Sequence, residues 1–244
     1  MRNSEVLTTG LKEKGISFEE NKEKVYINRA LMNINMNHIR LNRRYRRTKR
    51  FLDIIGSMFG LLVFVILYPF IAAGIKISSK GPIFFIQDRT GKNGKVFKCY
   101  KFRTMHIGIT KRGKDNEPIV TEEGDRRIFS FGRFLRISNL DELPQILNVL
   151  KGDMSLVGPR PYPVEECRHW RTTIPNFELR YAVKPGLTGW AQVTGYRGGN
   201  LNLKHMVFRL KRDFKYIESY CLLLDLKIIG RTIKQMLRRQ TLAH

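Results

Sequence analysis

The chain has 244 residues, 42% of them hydrophobic, so it can hold one domain of ordinary size with a packed core. Its 45 Lys and Arg against 21 Asp and Glu give a formal net charge of +24, which predicts an anionic partner: nucleic acid, a membrane surface or a phosphorylated substrate. Its three cysteines are scattered without CxxC spacing, which favours a reducing compartment over a disulfide framework or a zinc site.

The N-terminal part is polar and leads into an apolar segment. Residues 1–39 show weak periodicity, and we expect a loosely ordered extension without the apolar region of a cleavable signal peptide. The run from Arg40 to Arg50 carries seven basic residues. It precedes Ile54–Ile75, 22 residues without a charge, which as a helix would match the hydrocarbon thickness of a bilayer. We therefore predict a membrane element whose basic flank lies near anionic lipids.

Basic residues stand on both sides of this apolar segment. The positive-inside rule therefore draws both of its ends to the cytoplasm, which a straight transmembrane helix does not satisfy. Tyr68-Pro69 interrupts the segment, and proline removes a backbone bond there. We favour a re-entrant helix-break-helix that returns to the same side, and the alternative is a transmembrane helix with a proline kink.

A β-hairpin is expected after the membrane element. Ile83–Ile86 and Val96–Met105 are rich in aromatic and β-branched residues and are joined through a Gly-Lys-Asn-Gly turn. The second strand carries Lys101 and Arg103 among aromatic residues, either as a solvated basic face or as cations facing a diphosphate. Residues 107–130 are polar and contain glycine, which predicts a surface loop.

The central stretch LDELPQILNVLKG predicts an amphipathic helix. Pro144 is tolerated only near a helix start, so the helix is expected to begin between Asn139 and Asp141 and to end at Gly152. This places Asp141 and Glu142 at a helix N-terminus. One interpretation is capping and complementation of the helix dipole by an acidic residue.

The other interpretation of this acidic pair is chemical. Arg136 lies just upstream, and Arg160 is held between two prolines, which restricts the chain without helping a core. Two adjacent carboxylates, a helix N-terminus and guanidinium groups together suit phosphate and a divalent cation. We therefore favour a functional site at Asp141 and Glu142.

The last third of the chain contains a glycine-rich segment and two helical patterns. Val183–Asn200, with Lys184 and Arg197, is predicted to be a loop, and its glycines would also let backbone approach a ligand. A core-facing helix is expected from Leu203 onward. Cys221–Arg239 places a basic row beside an apolar stripe, which indicates a helix in the membrane interface or, alternatively, a soluble surface helix. The stripe comprises Leu226, Ile229, Ile233 and Met236.

Six ordered blocks between Lys49 and Leu237 resemble a known family. They read KRFLDIIGS, GPIFFIQDRTG, YKFRTM, GRFLR, LDELPQILNVLKGDMSLVGPRP and VKPGLTGWAQVTGYRG. They are similar to the bacterial sugar transferases, the monotopic polyprenyl-phosphate phosphoglycosyl transferases, in their small catalytic-domain form. The family often has Ser-Pro at the membrane break, where this chain has Tyr68-Pro69.

The resemblance implies an α+β fold with a re-entrant membrane helix, interfacial amphipathic helices and a compact cytosolic α/β catalytic part. It divides the chain into an N-terminal extension at 1–48, a membrane helix at 49–77 and a catalytic domain at 78–240. It places the protein at the bacterial inner membrane, facing the cytoplasm. A homo-oligomer is left open.

The implied reaction moves a sugar 1-phosphate from a UDP-sugar to polyprenyl (undecaprenyl) phosphate, which starts capsule, exopolysaccharide or O-antigen assembly. By resemblance Asp141 is the nucleophile that forms an aspartyl-phosphosugar and releases UMP, and Mg²⁺ is held by Asp141 and Glu142. The substrate-binding residues implied are Lys101, Arg103, Arg136, Arg160, Lys184 and Arg197. The ending GYRGGN is closer to members that transfer glucose or galactose phosphate.

Two alternatives share parts of this pattern. Direct displacement in a ternary complex would use the same residues without trapping a phosphosugar on the protein. A non-enzymatic basic membrane adaptor would explain the charge and both membrane elements but not the acidic pair. Nucleic acid is not expected as a partner, because it would account for the charge alone.

Overall fold

The computed structural model describes residues 43–108, 124–196 and 203–237. Its helices are α1 Arg43–Ser78, α2 Ser130–Ile137, α3 Ile146–Lys151, α4 Val164–Thr173, α5 Trp190–Val193, α6 Leu203–Ser219 and α7 Leu222–Leu237. Its strands are β1 Phe84–Thr90, β2 Val96–Phe102, β3 Ser155–Val157 and β4 Gly186–Thr188. Helices with small sheets confirm the mixed, α+β character that the sequence indicates.

The long helix α1 contains the whole apolar segment and has two different faces. One face packs on the rest of the chain: Asp53, near its start, accepts hydrogen bonds from Ser155 and Leu156, and Ile71 and Ile75, near its end, are buried. The other face exposes large apolar side chains, namely Phe51, Leu52, Ile54, Ile55, Met58, Phe59, Leu62, Val65, Ile66, Phe70 and Ile77. The buried face therefore follows the helix from end to end.

Among the described residues, α1 is the one helix long and apolar enough to cross a membrane. It continues through Pro69, so the predicted separation into two helices is not seen in this structure. The Tyr68 ring stacks on Phe84, with 5.9 Å between the ring centroids, and holds this part of α1 against β1. Return to the same side of a bilayer stays a prediction.

The predicted hairpin is confirmed, with a first strand that is longer and a second strand that is shorter than expected. β1 and β2 are antiparallel, with Phe84 opposite Phe102 and Thr90 opposite Val96, and the 3₁₀ turn Lys92–Gly94 lies at the tip. The glycine-rich segment predicted as a loop contributes β4, which pairs in parallel with β3. The loop expected at 107–130 lies mostly outside the described residues, and α2 begins at its end.

The helix that carries the acidic pair differs at its start. Leu140–Gln145 is a 3₁₀ helix, and α3 follows directly and ends at Gly152, which has a φ of 92°. Pro144 explains the tighter first turns, because it has no N–H to bond the Leu140 carbonyl as an α-helix would require. Asn139 is the residue before this turn and gives no side-chain cap, so the capping interpretation is not supported for Asn139.

The C-terminal helices close the larger of the buried clusters. α6 begins at Leu203 as predicted and buries Met206, Leu210 and Phe214 against Trp170 and other apolar side chains. On α7, Leu226, Ile233 and Met236 of the predicted stripe are exposed, whereas Ile229 packs against the core. Asp225 of α7 accepts hydrogen bonds from Tyr45, Lys49 and Tyr216, so α7 lies beside the start of α1.

Candidate active site

Glu142 lies at the centre of a buried group of charges. Its side chain is 8% exposed, and its Oε1 atom lies 2.7 Å from both Lys101 Nζ and Arg160 Nη2. Arg160 Nη1 donates to the other oxygen at 3.3 Å. Lys101 belongs to β2, Glu142 to the 3₁₀ turn and Arg160 to the loop after β3, so three separate segments meet at one carboxylate.

Asp141 is in a contrasting position. Within the described part of the chain its carboxylate accepts no hydrogen bond and forms no ion pair, and the side chain is only partly exposed. Burial raises the pKa of Asp141, while the cations of Lys101, Arg136 and Arg160 oppose that shift and the charge of Glu142 adds to it. The carboxylate of Asp141 is thus surrounded by charge and left open to a ligand.

Arg136 approaches the pair from α2. Its Nε donates to Thr104 Oγ1 at 2.9 Å, which fixes the plane of the guanidinium. Its two terminal nitrogens make no hydrogen bond among the described residues, so they remain available to an anion. Burial lowers the pKa of Arg136, and the neighbouring charge of Asp141 opposes this.

The Gly-Pro-Arg-Pro segment at residues 158–161 follows β3. It reaches the site because the backbones of β3 and β4 approach each other closely. Strands β3 and β4 pair in parallel, and a Cβ atom added at Gly186 would lie 2.0 Å from the backbone nitrogen of Gly158. Only glycine fits at such a distance. Gly186, predicted to form a loop or to let backbone approach a ligand, instead lets β4 approach the backbone of Gly158, two residues before Arg160.

The structure assigns Arg103 a set of contacts that were not anticipated. Its Nε donates to the Pro82 carbonyl at 2.6 Å, and Nη1 and Nη2 each lie 2.7 Å from Ser79, from Oγ and the carbonyl oxygen respectively. The side chain is buried, and burial lowers its pKa. All three guanidinium nitrogens thus bind the connection between α1 and β1, so these contacts give no support to a phosphate-binding role.

Of the two remaining predicted substrate ligands, Lys184 does not join this group. Lys184 lies beside Gly152 and Arg50, at the opposite end of the Leu140–Lys151 helical segment from Asp141. Burial lowers the pKa of Lys184, and the charge of Arg50 adds to the effect. Arg197 lies outside the described residues.

Asn148 is a positioning residue that sequence reasoning missed. Its side-chain amide donates to the Lys98 carbonyl at 2.7 Å and accepts from the Tyr100 backbone N–H at 3.1 Å. These bonds fasten α3 to β2 and so set the distance between Lys101 and Glu142. No signal in the sequence marks it, because Asn148 lies off the predicted apolar stripe, and only its burial in the structure shows that its amide needs partners.

The residues present fit Mg²⁺ in part. Mg²⁺ is usually held by one or two carboxylates together with substrate phosphates. Among the described residues no group of three or more His, Cys, Asp or Glu side chains could hold a metal. Asp141 suits the sparse type of site because its carboxylate is open, whereas both Glu142 oxygens already accept hydrogen bonds from Lys101 and Arg160.

The sequence is similar to several characterised proteins. A protein of Caulobacter vibrioides named UDP-glucose:undecaprenyl-phosphate glucose-1-phosphate transferase is 42% identical over 191 residues, covering 78% of this chain and 69% of that protein. The Escherichia coli K12 protein of the same name is 41% identical over 190 residues, covering 77% of this chain and 40% of its own length. The exopolysaccharide production protein PSS of Rhizobium leguminosarum is 38% identical and is covered over 96% of its length.

The spatial arrangement and these similarities agree with a match to a whole family. The sequence model described as bacterial sugar transferase matches residues 44–239, which include all but the first residue of α1, the hairpin, the acidic pair and the described C-terminal helices. The curated relatives with this similarity include phosphotransferases that act on undecaprenyl phosphate by name. The chain belongs to the bacterial sugar transferase family.

Proposed function

We propose that this protein transfers a sugar 1-phosphate from a UDP-sugar to undecaprenyl phosphate, with release of UMP. The observation that carries the proposal is the contrast within the acidic pair: Glu142 is held by Lys101 and Arg160, while Asp141 is open among cations. An open carboxylate in a cationic surrounding suits attack on a phosphate. The names of the relatives supply the substrate classes.

The proposed first step is covalent. An oxygen of Asp141 attacks the phosphorus nearest the sugar, the bond from that phosphorus to the bridging oxygen breaks, and the electron pair leaves with UMP. In the second step an oxygen of undecaprenyl phosphate attacks the same phosphorus. The carboxylate of Asp141 leaves, which restores the enzyme and yields the lipid-linked sugar diphosphate.

Attack of one anion on another requires positive charge at the site. Arg136 offers two nitrogens that no described residue occupies, and Arg160 and Lys101 both bind Glu142, the residue next to Asp141. Such preorganised cations lower the energy of the charge that develops on the transferred phosphate. Glu142 then orients Lys101 and Arg160 and does not take part in bond formation.

The open carboxylate of Asp141 would hold Mg²⁺ together with phosphate oxygens of the substrate. Bound there, the ion would neutralise charge on the diphosphate and orient it. In the structure Glu142 is engaged by two cations, so we place the metal on Asp141. A chelator is expected to stop UMP release, and added Mg²⁺ to restore it.

The sugar proposed is glucose or galactose. Four of the relatives are named as UDP-glucose:undecaprenyl-phosphate glucose-1-phosphate transferases, and a Streptococcus agalactiae relative, 40% identical over 196 residues, is named galactosyl transferase CpsE. Parallel assays with UDP-glucose and UDP-galactose would decide between them.

The proposed attachment to the membrane is through one leaflet, with the catalytic part in the cytoplasm. Support comes from α1, because its polar contacts with the catalytic part occur near both ends: Arg50 donates to the Val149 carbonyl, and Ser79 accepts from Arg103. A helix that crossed a bilayer straight would separate these ends by the membrane thickness.

Thiol labelling of intact cells tests this attachment. Glu5→Cys and Asn116→Cys would be introduced singly into a Cys221→Ser background, because Cys221 is the exposed native cysteine among the described residues. Protection of both sites from an impermeant reagent is expected. Labelling of one site from outside would mean that the chain crosses the membrane.

The reaction itself is tested by UMP release with and without lipid acceptor. Release by the native protein without lipid, up to one turnover, supports the covalent route, and the sugar phosphate should then remain on the protein. Release only with lipid would favour direct displacement. Undiminished release by Asp141→Asn would remove Asp141 from the role of nucleophile.

A further inference from the structure

The loop that carries Arg160 is held through its carbonyl groups. The Pro159 carbonyl accepts from Gly186 N at 2.9 Å, and the Tyr162 carbonyl accepts from Thr90 N at 3.1 Å. Between these two backbone bonds, proline at both neighbours of Arg160 removes N–H groups that could otherwise anchor the chain. The carbonyls at 160 and 161 are therefore the points at which side chains can fix the loop.

Two arginines bind these carbonyls, and both are buried. Arg180 Nη2 donates to the Arg160 carbonyl at 2.6 Å, and Arg89 Nη1 donates to the Pro161 carbonyl at 2.5 Å. The guanidinium carbon of Arg180 also lies 3.8 Å from the centroid of the Tyr162 ring. Consecutive carbonyls of one loop thus each have a charged donor.

Arg180 is itself fixed by a buried ion pair. Its Nη2 lies 3.0 Å from Asp213 Oδ2 on α6, and each of the two side chains is 2% exposed. Burial is the largest effect on Asp213 and raises its pKa to about 6, while the charges of Arg180 and of Arg209, also on α6, oppose this shift. Burying such a pair is costly, and it is a poor way to gain stability compared with apolar packing.

The two contacts of Arg160, one through its carbonyl and one through its guanidinium, indicate what the Arg180–Asp213 pair does. Arg180 binds the backbone carbonyl of Arg160, and the guanidinium of the same Arg160 binds Glu142 at 2.7 Å. A shift of the Arg160 carbonyl would carry the guanidinium away from the phosphate position. Arg is suited to this task because its planar group can bind a carbonyl and a carboxylate while it stacks on Tyr162.

We propose that Arg180, anchored by Asp213, is a positioning residue that aims the Arg160 guanidinium at the phosphate of the sugar nucleotide. The proposal rests on the transferase function proposed above. It assigns no contact with substrate to Arg180. It predicts that a change at Arg180 affects the reaction only while Arg160 is present.

A double-mutant cycle tests this dependence. Arg180→Lys keeps the positive charge beside Asp213 but loses the planar geometry, and Arg160→Lys removes the forked contact with Glu142 and phosphate. Alone, Arg180→Lys is expected to raise the KM for the UDP-sugar about tenfold with a much smaller change in kcat. In an Arg160→Lys background the same change should alter KM by less than about twofold.

Several results would overturn the proposal. An equal rise of KM in both backgrounds would mean that Arg180 acts independently of Arg160. A native KM for Arg180→Lys would mean that the contact does not position anything. A native KM for Arg160→Lys would contradict this proposal and the phosphate role of Arg160 together, whereas UMP release that survives Asp141→Asn would contradict the covalent mechanism alone.

Two further variants separate positioning from stability. Asp213→Asn removes the anchor with little change in shape, should raise KM in the same Arg160-dependent way, and carries the test if Arg180→Lys does not fold. Tyr216→Phe is the control, because it removes buried hydrogen bonds of α6 to Asp225 and the Val157 carbonyl without touching Arg160. Its effect on KM should be the same in both backgrounds.

Discussion

Two regions at the end of β2 use similar side chains for different purposes. Lys101 and Arg103 are two residues apart, and the sequence gives both the same surroundings of aromatic residues. Lys101 pairs with Glu142 at 2.7 Å, whereas Arg103 is bound by Ser79 and the Pro82 carbonyl. The first region brings a cation to the Glu142 carboxylate beside the open carboxylate of Asp141. The second region fixes the chain where it leaves the long helix α1.

The difference shows that the oxygen atoms bound by a cationic side chain indicate whether that side chain can bind a ligand or serves the fold. A guanidinium whose nitrogens all bind carbonyl and hydroxyl oxygens has nothing left for a ligand. A cation that shares a carboxylate with another cation keeps excess positive charge, which attracts a phosphate. Changes in the first region should therefore remove activity and keep the fold, and changes in the second should do the reverse.

The largest effect is expected at Asp141. Asp141→Asn should lower UMP release about a thousandfold or more, because the proposed nucleophile is lost. The melting temperature should stay the same or rise, since burial raises the pKa of Asp141 and the folded state therefore disfavours its charge. An assay of UMP release measures the first quantity, and thermal unfolding in the same detergent measures the second. A lower melting temperature would show that the open carboxylate stabilises the fold.

Arg103 should give the opposite result. Arg103→Met leaves the Ser79 and Pro82 carbonyls without their donor, and we expect a loss of about 3 kcal/mol in the free energy of unfolding. The activity of the protein that remains folded should stay near the native level. Denaturant titration gives the first quantity, and UMP release normalised to folded protein gives the second. A selective loss of activity would return Arg103 to the substrate-binding group.

Lys101 is expected to show a smaller effect than these two. Lys101→Met should lower UMP release by about tenfold, because one of the cations beside Asp141 is lost while Arg160 still holds Glu142. Stability should change little, since Arg160 continues to neutralise the buried carboxylate. Comparison of Lys101→Met with Arg103→Met in one assay sharpens the contrast between the regions. Equal losses of stability in Lys101→Met and Arg103→Met would contradict this contrast between the two regions.

Much of this arrangement could be predicted from local sequence. The spacing of apolar residues predicted α6 and α7, the charge-free segment predicted α1, and two prolines around Arg160 marked a restricted loop. These signals are local, because each depends on residues near one another in the chain. Resemblance to the family added the proposed roles of Asp141 and Glu142.

The parts that could not be predicted depend on contacts between distant segments. Arg180 meets the carbonyl of Arg160 and the carboxylate of Asp213, which lie 20 and 33 positions away in the sequence. Nothing near Arg180 in the sequence indicates these partners. The path of α1 through Pro69 is similar, because packing of Tyr68 on Phe84 holds the helix there and overrides a local tendency to break.

The smallest effect is expected at Asp125, whose pKa is shifted in the opposite direction to that of Asp141. Hydrogen bonds from Arg127 lower the pKa of Asp125 from 3.8 to about 2. The carboxylate therefore stabilises the folded state above about pH 4, and this contribution is lost as the pH falls through about 2. Asp125→Asn should unfold at a slightly lower temperature than the native protein at neutral pH, and the difference should shrink as the pH approaches 2. A difference that persists in acid would mean that Asp125→Asn disturbs packing and does not act through the lost charge. The paired carboxylate of Asp125 would then no longer contrast with the open carboxylate of Asp141.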